Sequence, residues 1–573
     1  MEGNKQAIKI KDLKDYYLSQ SKKERRVWID CYKNYRSYAN PLLNPYLSNL
    51  FIPKTHEAVE LLAAFLIGRN QVIDVSPEGE DDDESARYMQ KLLDYQWRKE
   101  LYARPTLLVW LKQAILFGNG VLKLGWDMEN NKDRPFMTAL GMDTVFMDYY
   151  TPNIQDAPLI HRIVRPITLI GKDKRYKIKG TITPLSESEI EEPDTKFSAY
   201  DNTNITTNVG DKELKTECAE ILEMWDPFEN KIITALETSL GYQVIREVEN
   251  KLEDSDKNPY LPFVKLKFKN NPLPNRAYDI GAIENTIEIQ KAFNKGANQF
   301  FDNASLVNDK MWIKRKTANI DPKTMQRRPG GIIEVNDINA DIRAEETGDI
   351  KQSLIEMLRF LDDEYQQASM VVNLLKGVSD SGTATEAALG QQNTQTLLDM
   401  IDGNIKDAMS QAGQMLADLN IQFQTKEKTI KIFENDRQMG FARIKPKDIK
   451  GKYDVKIAAD RAATEGKAIR QKQLLDFLAI ISRDQVLLQK YPDLPAKIYK
   501  KWLENAGFSD LEYFFEEAKN DQSINGQEGD LAEVLANLPK EDQGGNRQFN
   551  SRGAGLTNKG QNKMVSYTDG SKI

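Results

Sequence analysis

The chain has 573 residues, a formal charge of −7 and 40% apolar residues, enough for several domains and a sizeable core. Its two cysteines, Cys31 and Cys218, lie far apart, which excludes a disulfide framework and points to a reducing compartment. The polar start Met1-Glu-Gly-Asn-Lys-Gln6 is no signal peptide, and the apolar run Leu61–Gly68 is far too short for a bilayer span, so a soluble protein made in a cytoplasm is expected.

Residues 1 to about 27 are charged and helical in pattern, and Trp28, Tyr32 and Tyr35 continue them as an aromatic stripe. Asn40 to Tyr46 reads as a loop. Pro53-Lys-Thr-His-Glu57 then opens a helix through Leu66, with Thr55 as its cap and Glu57 in the favoured first turn. Val72–Pro77 reads as a strand. The acidic run Glu80–Glu84 lacks the Gly and Glu of a calcium-binding loop and reads as a solvated helix start. Helices follow at Glu84 to about Leu101 and Thr106–Phe117. Gly118-Asn-Gly-Val-Leu-Lys-Leu-Gly-Trp126 fits no phosphate loop, because Lys123 stands where the third glycine belongs. It predicts a helix C-cap and then a strand.

Strand and loop signals continue from Asp143 to Ile170. Tyr176 to about Thr216 is polar and reads as a surface excursion. Strands are expected at Ala219–Asp226, Ile232–Leu236, Tyr242–Glu247 and Leu261–Lys269.

After Pro272 and Pro274 a helix is expected from about Ile280, capped by Asp279. Its apolar positions are Ile280, Ile283, Ile287, Phe293, Ala297, Phe300 and Phe301. A second helix is expected after Gly348, with Asp349 as cap and an apolar stripe from Ile350 through Leu354, Leu358, Leu361 and Tyr365 to Val372. Between the two, a strand at Lys310–Lys314, a Pro329-Gly-Gly331 turn and a strand at Ile332–Val335 carry Lys310, Lys314, Arg315, Lys316, Lys323, Arg327 and Arg328. Lys376 to Thr383 is a Gly/Ser/Asp loop. A long helix runs from about Thr385 to Phe423, with Gly390, Gly403 and Gly413 as candidate kinks or close-packing points. Strands at Thr429–Phe433 and Tyr453–Ala458 are expected to complete the sheet begun before residue 270. Helices follow at 465–481, 486–488, 494–507 and 511–518, and then a polar tail from about residue 522 that reads as disordered.

This order of parts resembles phage portal proteins, most of all those of short-tailed phages. The resemblance spans about Trp28 to Ile481 and rests on Gly377-Val-Ser-Asp-Ser-Gly-Thr-Ala-Thr-Glu-Ala387, on Asn44-Pro-Tyr-Leu-Ser-Asn-Leu-Phe-Ile-Pro-Lys54, and on a helix ending at Gly118 before a strand ending in Trp126 and an acid. It implies an α+β, mainly helical portal-like fold with wing, stem, clip and crown regions around a central channel. Residues 1–278 and 385–460 would form the wing and long kinked helix, 279–302 and 348–373 the stem, 303–347 the clip, 374–384 a tunnel loop, 461–520 the crown, and 521–573 a flexible tail.

It further implies a homo-oligomeric ring, dodecameric in the family, at one capsid vertex of the virion, assembled in the host cytoplasm. Double-stranded DNA would pass inward during packaging and outward at ejection. The terminase large subunit, head–tail adaptor and tail proteins, and major capsid and scaffolding proteins would be partners; no membrane is implied. Lys376, Gly377, Ser379, Asp380, Ser381, Gly382 and Thr383 would touch the duplex, and the basic residues from Lys310 to Arg328 would meet terminase and adaptor, or pair with acids of a neighbouring clip. A channel must not hold DNA, because each phosphate contact releases counterions and gains affinity. Acids of the stem (Glu356, Asp362, Asp363, Glu364) therefore either face the bore or bridge adjacent subunits.

Catalysis finds little support. No Walker loop exists, Asp81–Asp83 and Asp362–Glu364 are runs rather than assembled ligands, and the two histidines, His56 and His161, sit in no nucleophile motif. Zinc needs several Cys or His ligands at close spacing. No enzyme, cofactor or metal is expected. A non-viral helical scaffold is the alternative; it explains the long helices but not the basic hairpin between them.

Overall fold

The computed structural model describes residues 2–38, 47–67, 71–79, 82–128, 133–185, 206–209, 212–215, 217–308, 312–316, 342–344, 352–370, 384–434, 437–459, 477, 481 and 498. Two compact units divide the chain at Gly466/Lys467. Of the second, only Phe477, Ile481 and Ile498 are described; each is helical. The remainder of the expected crown helices and the tail lie outside the described residues.

The first unit opens with α1 (Glu2–Gln20), α2 (Lys22–Tyr35) and α3 (Lys54–Ile67). Strand β1 (Gln71–Pro77) and α4 (Asp83–Tyr95) follow, the latter running into a π-turn at Gln96–Glu100. Helix α5 (Ala103–Phe117) starts three residues before its expected Thr106. Pro105 falls in its first turn, where the missing N–H has no helical acceptor to lose. Next come β2 (Asn119–Asp127), β3 (Arg134–Leu140), β4 (Val145–Phe146), β5 (Leu159–Pro166) and α6 (Ile167–Lys172). A β6 (Thr206–Val209)–β7 (Lys212–Lys215) pair sits inside the stretch expected to be a plain excursion.

Strands β8 (Cys218–Asp226), β9 (Lys231–Thr238) and β10 (Gly241–Glu249) form the expected meander. With β5 and β4 they make a five-stranded sheet, ordered β10-β9-β8-β5-β4. Alternation decides what covers each face. Leu222 and Met224 meet Ile10 and Tyr17 of α1, whereas Ile221 and Ala219 face Ile170 of α6. Strand β11 (Phe263–Lys267) joins β2 and β3 in a separate three-stranded sheet.

Helix α7 (Ile287–Asn308), strands β12 (Trp312–Lys314) and β13 (Ile342–Ala344), and α8 (Gln352–Ala368) come next. Helix α9 runs unbroken through Ala384–Phe423. Its apolar face (Leu398, Ile401, Ile405, Met409, Leu416, Leu419) is buried at helical spacing, each such side chain being worth roughly 1.5–3 kcal/mol. Of its glycines, Gly413 is a close-packing point against Val455, while Gly403 has open space around it.

Strands β14 (Lys428–Glu434), β15 (Arg437–Ile444) and β16 (Tyr453–Ala459) close the unit. Of the two expected to complete the sheet begun before residue 270, β16 does join a strand from that part of the chain, and β14 does not. Strand β16 pairs with β1, and β14 pairs with β15, a strand the sequence reading missed.

An ion pair joins the two larger sheets. Lys123 of β2 donates to the buried Glu223 of β8, whose other donor is the Trp225 indole at 2.7 Å. Burial pushes the Glu223 carboxyl up, but the Lys123 charge and hydrogen bond outweigh it and hold the group well below the usual carboxylate range. Burial and the same lysine lower the neighbouring His161 to about 4, so this strand histidine is a neutral packing residue. His56 packs its ring on Tyr35, centroids 5.0 Å apart.

Candidate functional site

Three contact sets position α7 and α8, the helices expected to flank the channel. The first is an elbow beneath α7. Gly118 ends α5 at φ +84°, the left-handed C-cap the sequence predicts. Asn119 donates to the Asp279 carboxylate at 2.8 Å and accepts from the Asp279 N–H at 2.8 Å, while the Asn271 N–H donates to the same carboxylate at 3.0 Å. Lys265, pushed down to about 8 by burial, lies 3.9 Å from that carboxylate and donates to the Pro152 and Ala277 carbonyls. Asp279 is therefore not a helix cap. Its neighbour Ile280 is bridged to Lys269 in extended conformation, and the helix starts later, with a 3-10 turn at Glu284–Thr286 and then Ile287.

A side-chain ladder runs along α7. The Ser48, Leu50 and Ile52 N–H groups donate to Asp302 (2.6 Å), Asn298 (2.7 Å) and Asn294 (3.1 Å), and Gln290 donates to the Ile52 carbonyl at 2.8 Å. The spacings match for a simple reason. Two extended residues and four helical residues both advance about 6–7 Å. Gln290, Asn294, Asn298 and Asp302 recur every fourth residue, a polar stripe visible in the sequence. Asn298→Leu removes one rung, and we expect about 1–2 kcal/mol of destabilisation with faster hydrogen exchange at Leu50. Unchanged exchange there would mean that the rung carries no weight.

The third set is a polar knot at the base of the pair. Tyr365 of α8 donates to Thr55 of α3 at 2.9 Å and accepts from Thr286 at 3.3 Å, with all three buried. Thr55 is thus a buried partner of α8 rather than the cap of α3. Higher up, Gly296 lets α7 approach Leu358 and Met357 of α8 so closely that a Cβ would sit 3.0 Å from each.

Beyond the knot, α8 presents an exposed face made of Gln352, Glu356, Arg359, Phe360, Asp363 and Gln367. Glu356 and Asp363 share it, two turns apart. Asp362 and Glu364 are half-buried, and Asp362 is paired inside its own chain with Lys54, at 2.8 Å. The expected α8 cap Asp349 and the stripe residues Ile350, Val371 and Val372 lie outside the described residues. Trp312–Lys314 pairs with Ile342–Ala344, whereas the expected partner strand Ile332–Val335 and the 329–331 turn lie outside them. Of the basic set, Lys314 is in β12 and Arg315 and Lys316 are exposed just after it; Lys310, Lys323, Arg327 and Arg328 lie outside the described residues. So does the whole loop Lys376, Gly377, Ser379, Asp380, Ser381, Gly382 and Thr383, between the end of α8 and the start of α9.

Among the described residues no three His, Cys, Asp or Glu side chains are grouped to hold a metal ion, and no helix is long and apolar enough to cross a membrane.

The described residues form a mixed fold of helices and sheets in which a helix pair is pinned at its base. The model of the phage SU10 portal protein family matches residues 54–147 and 131–543, most of the chain, and the chain belongs to that family. Among solved structures, a chain from the neck of an empty GTA particle computed with C6 symmetry is similar at 10% identity, with 76% of this chain and 87% of that one covered and a TM-score of 0.37. No curated protein matches.

Proposed function

We propose that this chain forms the ring through which double-stranded DNA enters one vertex of a phage head and later leaves it. The portal role follows from the family. The observation that carries the ring reading is the exposure of large apolar groups on the helix pair outside the face that holds Glu356 and Asp363: Phe301 at 44%, Met357 at 40% and Ile355 at 38%. Apolar surface of this kind on paired helices calls for a partner, and neighbouring copies of the same pair are the partner a ring supplies. Glu356 and Asp363 then present carboxylates to the bore, where they repel phosphate instead of gripping it. Asp362, held by Lys54, braces the stem inside its own subunit.

In this reading the clip, with Lys314, Arg315 and Lys316, docks terminase during packaging and the adaptor afterwards. Its role is structural rather than catalytic. Negative-stain microscopy of the purified protein tests the ring: annular particles with a central hole are expected, and a lone subunit under all conditions, including beside its capsid partners, overturns it.

The segment Lys376–Thr383 is proposed to project inward and touch the duplex, its glycines yielding as DNA slides. Proline at Gly377 and Gly382 restricts φ and the preceding residue. Heads assembled with Gly377→Pro/Gly382→Pro subunits should stall in packaging or fail to retain DNA, measured as nuclease-protected DNA per head. Normal protected DNA would remove this role from the loop.

A further inference from the structure

This chain is acidic overall, yet it gathers positive charge at one place outside the helix pair. Residues 172–179, Lys172-Asp-Lys-Arg-Tyr-Lys-Ile-Lys179, hold five cations and one acid. The segment leaves α6 and is pinned beside β10, the edge strand of the five-stranded sheet. The Lys177 N–H donates to the Ile245 carbonyl at 2.8 Å, the Ser239 N–H donates to the Thr181 carbonyl at 2.8 Å, and the Thr183 N–H donates to the Glu237 carbonyl at 3.1 Å. Burial alternates along it. Tyr176 and Ile178 pack against the cluster of Ile170, Ile221 and Ile245, whereas Arg175, Lys177 and Lys179 are exposed. Alternate residues of an extended chain stand about 6–7 Å apart, so these three side chains form a regular row.

A groove of about 560 Å³ lies beside the row, lined by Arg175, Lys177 and Arg246 with Val244 and Val248. The acids nearby are already committed. Glu247, the one acid of the lining, pairs with Lys231 at 3.3 Å. Asp173 accepts from the Arg175 guanidinium at 2.9 and 2.6 Å. Those hydrogen bonds, with the charges of Arg175 and Arg165, hold its carboxyl below the usual carboxylate range. Lys172, Lys174, Lys177, Lys179 and Arg246 have no carboxylate partner among the described residues. Clustered cations of this kind are the electrostatic footprint of an anionic partner.

We infer that the row and its groove hold the phosphate backbone of duplex nucleic acid, without reading its sequence. A regular row of cations suits a polyanion whose charges recur along a chain, and each phosphate contact gains affinity by releasing counterions. The exposed members of the row are all cationic. They lack the aromatic or methionine centre typical of a protein interface. Tyr176 is turned into the fold, so no ring of the row is offered for stacking an unpaired base, which favours a duplex over a single strand. The inference does not rest on ring formation.

Fluorescence anisotropy of the full chain with a labelled duplex of about 20 base pairs, between about 50 and 200 mM salt, tests it. Lys174→Gln/Lys177→Gln/Lys179→Gln removes three exposed charges from the segment. Binding at about 50 mM salt should weaken at least about tenfold, and the slope of log affinity against log salt should fall by about 2–3. Lys445→Gln/Lys447→Gln/Lys450→Gln removes the same charge from the exposed turn after β15 and should change binding by less than about twofold. Thermal melting confirms that both variants are folded. A loss confined to the first variant supports the inference whether or not rings form, because the assay reads subunits and rings alike. No duplex binding by the parent chain, an equal loss in both variants, or polyglutamate of matched charge binding more tightly than the duplex overturns it; the last result assigns the patch to an acidic protein.

Discussion

Gly118→Ala is expected to prevent folding of the first unit. At this position a Cβ would lie 1.9 Å from the Asp279 carbonyl oxygen and 2.5 Å from its carbon, both main-chain atoms. Rotating a side chain cannot relieve such an overlap; the 279–281 turn must move. That turn is held by Asn119, Asn271 and the Lys269–Ile280 bridge, so moving it breaks the elbow under α7. The left-handed backbone adds about 1–2 kcal/mol. Together these costs rival the 5–15 kcal/mol that typically separates folded from unfolded domains. Gly241 separates the two costs. It has φ +85° but nothing within 4 Å of an added Cβ, so Gly241→Ala should lose only about 1–2 kcal/mol by chemical denaturation. If Gly118→Ala behaves like Gly241→Ala, with soluble protein and an ordinary loss, the elbow is not rigid.

The second large effect is expected at the joint between the sheets. Replacing either partner of the Lys123–Glu223 pair alone leaves a buried charge without its counter-ion, at a cost of about 3–5 kcal/mol. Lys123→Met/Glu223→Leu removes both charges and should cost clearly less than the sum. Lys123 also lies 5.2 Å from the Trp225 ring centroid and 5.6 Å from that of Phe263, so methionine preserves the apolar part of the packing. Chemical denaturation of the four proteins at neutral pH gives the coupling energy.

Acid provides a second check on the same pair. Glu223 has a folded pKa below its unfolded value of 4.5. Its contribution is therefore present above about pH 4.5 and is lost as pH falls toward the folded value. The single variant Glu223→Leu should be most damaging near neutrality and approach the parent protein in acid. A penalty that does not shrink on acidification would mean that shape, not charge, makes the joint.

Periodic stretches of this chain are legible in the sequence, because periodicity is local. The long α9 ends at Phe423 as the apolar spacing predicts, the β8–β10 meander falls where alternation puts it, and Gly118 caps α5. The misassignments share one physical origin. Asp279 and Thr55 stand where short polar residues commonly cap helices, but distant partners, Asn119 and Tyr365, claim their oxygens. No window of a dozen residues contains that competition. Strand β15 and the ladder on α7 were missed for related reasons: one has few β-branched residues, and the other pairs a helix with an extended segment about 250 positions away. Of the expected site, Glu356 and Asp363 do share an exposed face. Asp362 pairs with Lys54, a partner so far from it in the chain that no local pattern indicates it.

The buried Tyr365–Thr55–Thr286 contact makes the α7–α8 pair, packed together at Gly296, a cantilever. Its root is clamped, and the exposure of α8 grows toward Gln352. From Tyr365 to Gln352 the overhang is about 20 Å, so about 5° of slack at the root displaces the tip by about 2 Å. Losing one hydroxyl at position 365 would thus be felt less as lost stability than as play at the far end, magnified by leverage.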